Sequence, residues 1–437
     1  MINGKLDQGI KGWLIVFIGG LFYMYQFILR VSPNIMHDDL LQILSIDAGT
    51  LGTIIGAYYW AYTIMQIPLG MTMDRIGPRY FLCGAAFLCA LSCFIFGNTQ
   101  NIYVAGGARF LMGMGSASGL IGTLKLGTIW IKPKHIAKVT SLAILMGTAG
   151  AGLGGAPLGY VLERYGFEKT MQILALLGIL VGLIIYISLR LHPPIDHRKD
   201  AADIYKNDNP LKDLYTVIRT KQAWIVAIYG MLMYAPITII GIAWGVPFIQ
   251  KSYEISDTLA ASVVSTMFLG AAIGSPLVAF ISDILLQKRR LPMLFGVIMS
   301  VIIWSCVVFI HDIPLGIMYA LFFCGGVAYT FKTLSFASIC DIMPRNFSGT
   351  SIAFVNMIVM TTGIIFHPLI GYMIDYHWDG ALVGESPLYS IGDYRFALVI
   401  IPISLLLAGV ILIFMRESHP ESSIVKDYGA MPDTDAL

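Results

Sequence analysis

Runs of about twenty apolar residues recur some twelve times along this 437-residue chain, at 11–34, 49–72, 80–98, 102–130, 138–162, 169–190, 222–250, 258–285, 291–311, 314–342, 348–376 and 394–416. A helix of ~20 apolar residues is long enough to cross the hydrocarbon core of a bilayer. Composition agrees: 57% of residues are hydrophobic and 12% are charged, about half the ~25% charged share of a soluble domain. The mean hydropathy is +0.75. So much apolar surface needs a solvent other than water, and the lipid bilayer is the expected surround. The first run continues from Trp13 to about Ile35 without a small-residue cleavage site, so it reads as a span and not as a removable leader. The six cysteines, Cys83, Cys89, Cys93, Cys306, Cys324 and Cys340, fall in apolar runs without metal-ligand spacing. They read as small buried hydrophobes.

The one long polar stretch between spans, His192 to Lys221, divides the chain into halves. The expected organisation is a first bundle over 1–190, a linker over 191–221, a second bundle over 222–416 and a polar tail over 417–437. Basic residues set the orientation. With the N-terminus inside, 20 of the 28 Lys and Arg fall on the inner side, and only Arg164, Lys169, Lys251 and Arg395 on the outer. Both termini are therefore expected in the cytoplasm, with the chain in a bacterial inner membrane. The net charge of +2 gives no reason to expect nucleic acid, because the basic residues are spread over loops. The halves also repeat, at an offset of about 210 residues. Gly159-Tyr-Val-Leu-Glu163 has a partner in Gly371-Tyr-Met-Ile-Asp375, and Phe110–Gly113 has one in Phe322–Gly325. A six-plus-six repeat with a site near the midplane between halves is a transporter pattern.

After span two comes Gly70-x-x-x-Asp74-Arg75-x-Gly77-x-Arg79, echoed after span eight by Ser282-Asp283 and Lys288-Arg289-Arg290. Span four holds Arg109-x-x-x-Gly113-x-Gly115, and span five is rich in glycine from Gly147 to Gly159. In these motifs the whole chain resembles the major facilitator superfamily. The resemblance implies an all-α membrane protein of twelve transmembrane helices in two pseudo-symmetric six-helix bundles. It also implies gating or conformational roles for Gly70, Asp74, Arg75, Gly77, Arg79, Arg109 and Asp283. Two departures stand out: Ala279 replaces the glycine of the second loop motif, and span five has Ala156-Pro157 where the drug exporters of the family carry Gly-Pro. Arg30 late in span one and Trp244-Gly-Val-Pro247-Phe248 in span seven loosely resemble the organic-anion and organophosphate carriers.

Ionisable residues inside a bilayer mark function by default. Tyr23, Gln26, Arg30 and Asn34 follow at steps of three and four, one face of span one. Arg30 presents a planar fork suited to a carboxylate or phosphate, the alternative being that it snorkels to nearby headgroups. Lys332 lies deep in span ten, with Tyr329, Ser335 and Gly325 expected on its face. Lys125 in span four is close enough to Trp130 for snorkelling to compete. Arg109 falls ~160° away from Lys125 around an ideal helix. Tyr59, Tyr62 and Gln66 of span two, and Tyr234 and Trp244 of span seven, complete the expected substrate site; packing is the alternative for each. His367 before Pro368 reads as a packed histidine.

The spans expected around a central cavity, one, four, seven and ten, hold cations and no mid-span Asp or Glu. A net-positive cavity prefers an anion. The expected function is secondary active transport of a small organic anion by alternating access. Zwitterionic amino acids or peptides are the alternative, ahead of drug efflux or a non-transporting sensor. No catalytic set appears in a polar segment, so an enzyme is not expected, nor is a cofactor or metal. The coupling ion, a proton or another, is left open, and the expected assembly is a monomer.

Overall fold

The computed structural model describes residues 2–132, 135–191, 210–344, 348–383 and 386–418; side chains are described throughout these except at 2–10, 67, 70–72, 74–76, 137, 210–213, 283–284 and 348. Helix α1 runs Ile2–Ile35, and the short α2, His37–Leu44, lies across its end. α3, Ala48–Ile76, leaves α2 at a bend of 111°. Its N-terminus is capped by the Asp47 carboxylate, which accepts from the Thr50 amide. α3 remains helical through Gly70, Asp74 and Arg75, which the sequence reading places in a loop. The turn comes only at Gly77, whose φ of +85° suits a residue without Cβ, and Pro78 then starts α4, Pro78–Gly97.

α5 (Ile102–Ser116) and α6 (Ser118–Trp130) make one crossing interrupted at Ala117. The 54-residue apolar stretch Lys138–Leu191, made of α7 (Ile136–Leu153) and α8 (Ala156–Leu191), turns back at Gly166, φ +75°, and makes two crossings. Of the expected linker, 192–209 lie outside the described residues, and Pro210–Arg219 forms helix α9. Crossing seven is composite. α10, Lys221–Pro236, passes into a π-helical stretch, Ile237–Trp244, and then α11, Gly245–Tyr253. α12 (Asp257–Phe280) continues as wide π turns over Ile281–Leu286, and α13 spans Arg290–Phe309. Crossing ten is α14 (Leu315–Tyr329), a tight 3-10 turn (Thr330–Thr333) and α15 (Leu334–Ile342). α16, Ser348–His377, is followed by a two-stranded hairpin pairing Leu382 with Pro387, then by α17 (Ile391–Leu398) and α18 (Ile400–Ile413). The tail from 419 on lies outside the described residues.

The apolar side chains Leu91, Phe94, Leu176, Leu180, Ile298, Ile302, Leu406 and Leu407 are exposed on the outside, as a lipid-facing surface requires. The halves meet along three seams: α3 against α16, α7 and α8 against α12, and α1 against the π stretch of crossing seven. At the α3–α16 seam small residues bring backbones together. A Cβ on Gly52 would lie 2.2 Å from the His367 carbonyl oxygen, and one on Gly371 would lie 2.1 Å from that of Ala48.

The two membrane faces differ in charge. The face with Asp38, Asp39, Glu163, Asp257 and Asp375 is the acidic face, and the one with Lys132, Lys288, Arg289 and Arg290 is the basic face. Helix alternation puts the end of α3, which carries Asp74, and the end of α18 before Arg416 together on the basic face.

Candidate substrate site between the bundles

On the acidic face the bundles are tied by hydrogen bonds. Asp375 of α16 accepts from the backbone amides of Ala48 (3.1 Å) and Gly49 (2.7 Å), the first residues of α3. Tyr389 donates to the same carboxylate, and its oxygen accepts from Ala48 N–H. Outside the spans, burial and the Asp375 carboxylate hold the Tyr389 phenol above its ordinary pKa, so it stays a donor. Across the other seam Glu163 accepts from the amide and hydroxyl of Thr258. Near the centre of this closure Asn34 donates to Ile240 O (2.8 Å) and accepts from Val246 N–H (2.9 Å). The π stretch supplies Ile240 O and the first turn of α11 supplies Val246 N–H, a group without a partner inside its own helix.

Below this closure lies a buried cationic cluster. Arg30 is 2% exposed and does not snorkel. Its Nη2 donates to Gln26 Oε1 (3.2 Å), one helical turn back, and its Nε to the Tyr58 hydroxyl (3.3 Å), which itself donates to Gln26 (3.0 Å). The guanidinium also lies 4.7 Å from each of the Phe27 and Tyr62 ring centroids. From the other bundle Lys332 enters, 6% exposed, with Nζ 4.8 Å from the Tyr234 and Phe336 rings and 5.7 Å from Tyr329. Tyr234 is close to both cations: Lys332 lies over its ring, and Arg30 is within interaction range. Tyr23, buried on α1, packs edge-on against Phe27 and abuts Gly119 and Gly147.

The position of Lys332 follows from its turn. The Thr330 and Thr333 hydroxyls bond back to the carbonyls of Val327 and Thr330, and Ser335 bonds back to Lys332 O, which favours the tighter geometry. The break corrects one expectation. Gly325 does not share the Lys332 face but meets Trp304, since four residues of 3-10 winding rotate the register.

Arg109 of α5 is buried behind this cluster. It donates to Leu29 O (3.0 Å) and lies 5.1 Å from the Tyr58 ring, so it supports the residue that holds Arg30. Tyr59 is buried with its ring 5.3 Å from that of His367. Gln66 is nearer the basic face, where its Oε1 accepts from Asn356 across the seam (3.2 Å). Trp244 is not brought to the cations and packs against His37 in the acidic-face closure, 5.2 Å ring to ring. Lys125 is half-buried on α6, beyond Gly119. Gly77 forms the α3–α4 turn, and Arg79 stacks on Tyr186 of its own bundle, 4.3 Å from the ring. Gly70, Asp74, Arg75 and Asp283 are helical, and their side chains lie outside the described set. Of the cysteines, Cys306, Cys324 and Cys340 are half-buried and not fully enclosed.

Sequence reasoning missed Tyr58 and Phe27. Their signals were present: Phe27 precedes Arg30 by three residues, and Tyr58 precedes Tyr62 by four. Several buried polar atoms here have no protein partner, among them Gln26 Nε2, the Tyr59 hydroxyl and both ring nitrogens of His367. Buried polar atoms without a protein partner are uncommon and call for an explanation.

The chain was compared with known proteins. Residues 13–243 and 226–430 each match the model of the Major Facilitator Superfamily. The chain belongs to that superfamily. It is thus a multi-pass membrane transporter of the major facilitator type, folded as two six-helix bundles. Among its relatives is the probable galactarate/D-glucarate transporter GarP of Escherichia coli (strain K12), 22% identical over 91% of this chain and 97% of the relative. The D-galactonate transporter of Escherichia coli O6:H1 is 22% identical over 81% of this chain and 87% of its own length. The hexuronate transporter of Bacillus subtilis (strain 168) is 21% identical over 83% and 87%. In fold, this major facilitator chain matches a bacterial homologue of the human lysosomal transporter Spinster. That match has a TM-score of 0.75 and 14% identity, and it covers 96% of this chain and 99% of the other.

Proposed function

We propose that this transporter carries a small hydroxylated organic anion of the sugar-acid kind by alternating access between the bundles. One observation carries the reading: Arg30 and Lys332 come from opposite bundles and are close enough to interact with each other and with Tyr234, and no carboxylate of the described residues faces them. Two buried cations repel each other and are poorly solvated, and an anion between them relieves both penalties. The fork of Arg30 suits a carboxylate, and the unpartnered donors nearby suit hydroxyls. The relatives named for galactarate, D-glucarate, D-galactonate and hexuronate transport support the same class. A zwitterion finds a partner for its carboxylate here, but among the described residues no carboxylate faces the cluster to take its ammonium.

In the conformation described, the acidic face is closed, so the cycle needs the Asp375, Glu163 and Asn34 contacts to part while the basic face closes. The excess of Lys and Arg on the basic face supports a cytoplasmic location for it, with the chain a monomer in a bacterial inner membrane. The superfamily and the relatives named as transporters support a carrier role for the chain. The test is counterflow in proteoliposomes with radiolabelled D-glucarate as probe, against D-glucose and a cationic amine. Exchange of the sugar acid alone supports the reading; exchange of the neutral or cationic solute alone overturns it.

A further inference from the structure

Arg30 and Lys332 are both buried cations, but they are furnished differently. Arg30 has oxygen partners, Gln26 Oε1 and the Tyr58 hydroxyl. Around Lys332 Nζ the contacts among the described residues are with aromatic rings, those of Tyr234, Tyr329 and Phe336. Rings favour a cation by about 0.5–2 kcal/mol each, and that attraction is all a neutral amine forfeits here, whereas an amine paired with a buried carboxylate would leave an uncompensated charge behind.

The groups facing Lys332 add no negative charge. From α1 come Arg30 and Tyr23, from α10 Tyr234, and from its own crossing Tyr329. Behind Arg30 stand Tyr58, Tyr59 and Tyr62 of α3, Arg109 of α5 and His367 of α16. α12 packs on the 330–333 turn and has no ionisable residue from Thr258 to Phe280; α13 packs there too, and from Leu291 to Phe309 it carries only Cys306. Asp341, the acid at the end of α15, is engaged with Arg289 at 2.8 Å. A guanidinium keeps its proton at any accessible pH, whereas a lysine amine can lose one. When the site travels without an anion, Lys332 is therefore the member of the pair that can relieve the repulsion.

We infer that Lys332 is the proton carrier of the transport cycle, charged while the anion is bound and neutral on the return. This deepens the anion reading and rests on it. On the loading side a proton passes from water to the Nζ lone pair as the anion arrives. After reorientation the anion leaves, Nζ gives its proton to water on the second side, and the neutral amine returns. One proton thus moves with each anion in the same direction, and no acidic side chain is needed to couple them.

The test uses the full-length protein, Lys332→Arg and Lys332→His in proteoliposomes, with D-glucarate as probe. Two quantities are measured: counterflow at equal pH, and uptake driven by an imposed pH gradient with a trapped pH dye reporting proton entry. In the wild type the gradient is expected to raise accumulation about tenfold, with proton entry following the anion. Lys332→Arg, always charged, should lose gradient-driven accumulation and proton entry out of proportion to any change in its counterflow, so that the ratio of driven uptake to counterflow falls about tenfold. Lys332→His keeps a titratable nitrogen and should retain coupled uptake with its optimum moved to lower pH; it decides the matter if the arginine variant does not fold. Wild-type counterflow without proton entry overturns the inference and leaves the anion reading standing. Coupled accumulation by Lys332→Arg, or uncoupled exchange by Lys332→His, overturns it as well. Absence of wild-type D-glucarate counterflow removes the anion reading and this inference together.

Discussion

Glu163 and Asp375 occupy equivalent places in the two halves and make the same kind of bond: each accepts from the first turn of a helix in the other half. Glu163, at the end of crossing five, takes the Thr258 amide and hydroxyl of α12; Asp375, at the end of crossing eleven, takes the Ala48 and Gly49 amides of α3. Helix N-termini carry partial positive charge, so a carboxylate is well placed there. The repeat Gly159–Glu163 and Gly371–Asp375 is thus a repeated latch. Its glycines let the partner helix approach: a Cβ on Gly159 would lie 3.0 Å from the Thr258 hydroxyl, and one on Gly371 2.1 Å from Ala48 O.

Neutralising a latch weakens the acidic-face closure without touching the cation cluster. Asp375→Asn or Glu163→Gln should each shift the equilibrium towards the state open on the acidic face by about 1 kcal/mol, roughly fivefold. The double variant should shift it by about the sum, since the sites share no partner. Spin labels at the exposed Gln42 and Asp379, on opposite sides of the seam, report this as a larger population of long distances. An unchanged distance distribution in the double variant contradicts the assignment.

The α3–α16 seam makes a steric counterpart. A side chain at Gly52 would collide with backbone, the His367 carbonyl 2.2 Å from the added Cβ, which cannot swing aside as a flexible side chain would. Gly52→Val should therefore disfavour the closed acidic face, abolish counterflow and leave the protein monodisperse in detergent. Full counterflow by Gly52→Val would show that the seam does not close in the working cycle.

The spans were legible in the sequence because continuous apolar length reports a bilayer crossing directly, and the polar linker and the motifs repeated about 210 residues apart pointed to two halves. The stripe Tyr23, Gln26, Arg30 and Asn34 was legible for the same reason, as helical spacing survives burial in α1. What periodicity hid were the interruptions. The π stretch at 237–244 and the 3-10 turn at 330–333 change the residues per turn, so Trp244 and Gly325 face elsewhere than an ideal helix predicts. Tyr58 was passed over because its neighbour Tyr59 also faces a seam, and only the fold shows which of the two meets Arg30. Helix α2 is too short and polar to stand out before the span that follows it.

Stability of the second bundle rests in part on Arg289 and Asp341, paired at 2.8 Å with side chains 7% and 8% exposed. Removing one partner of a buried pair leaves the other charge uncompensated, at a cost of about 3–5 kcal/mol. Asp341→Asn is expected to lower the unfolding midpoint in detergent by several degrees. Arg164→Gln, which breaks exposed contacts to Tyr160 and Tyr165, should leave it within about a degree of the wild type. Equal midpoints for both variants would contradict the role given to the buried pair.

The central claim is that Arg30 and Lys332 together hold the anionic group of the substrate. It is tested most directly by equilibrium binding of D-glucarate to purified wild type, Arg30→Lys and Lys332→Gln, with D-glucose as the neutral control. Arg30→Lys keeps the charge but loses the two-pronged fork, and should weaken D-glucarate binding at least tenfold. Lys332→Gln should weaken it as much, with neither variant altering the response to D-glucose. D-glucarate affinity unchanged in both variants, or D-glucose binding more tightly than D-glucarate to the wild type, would contradict the account.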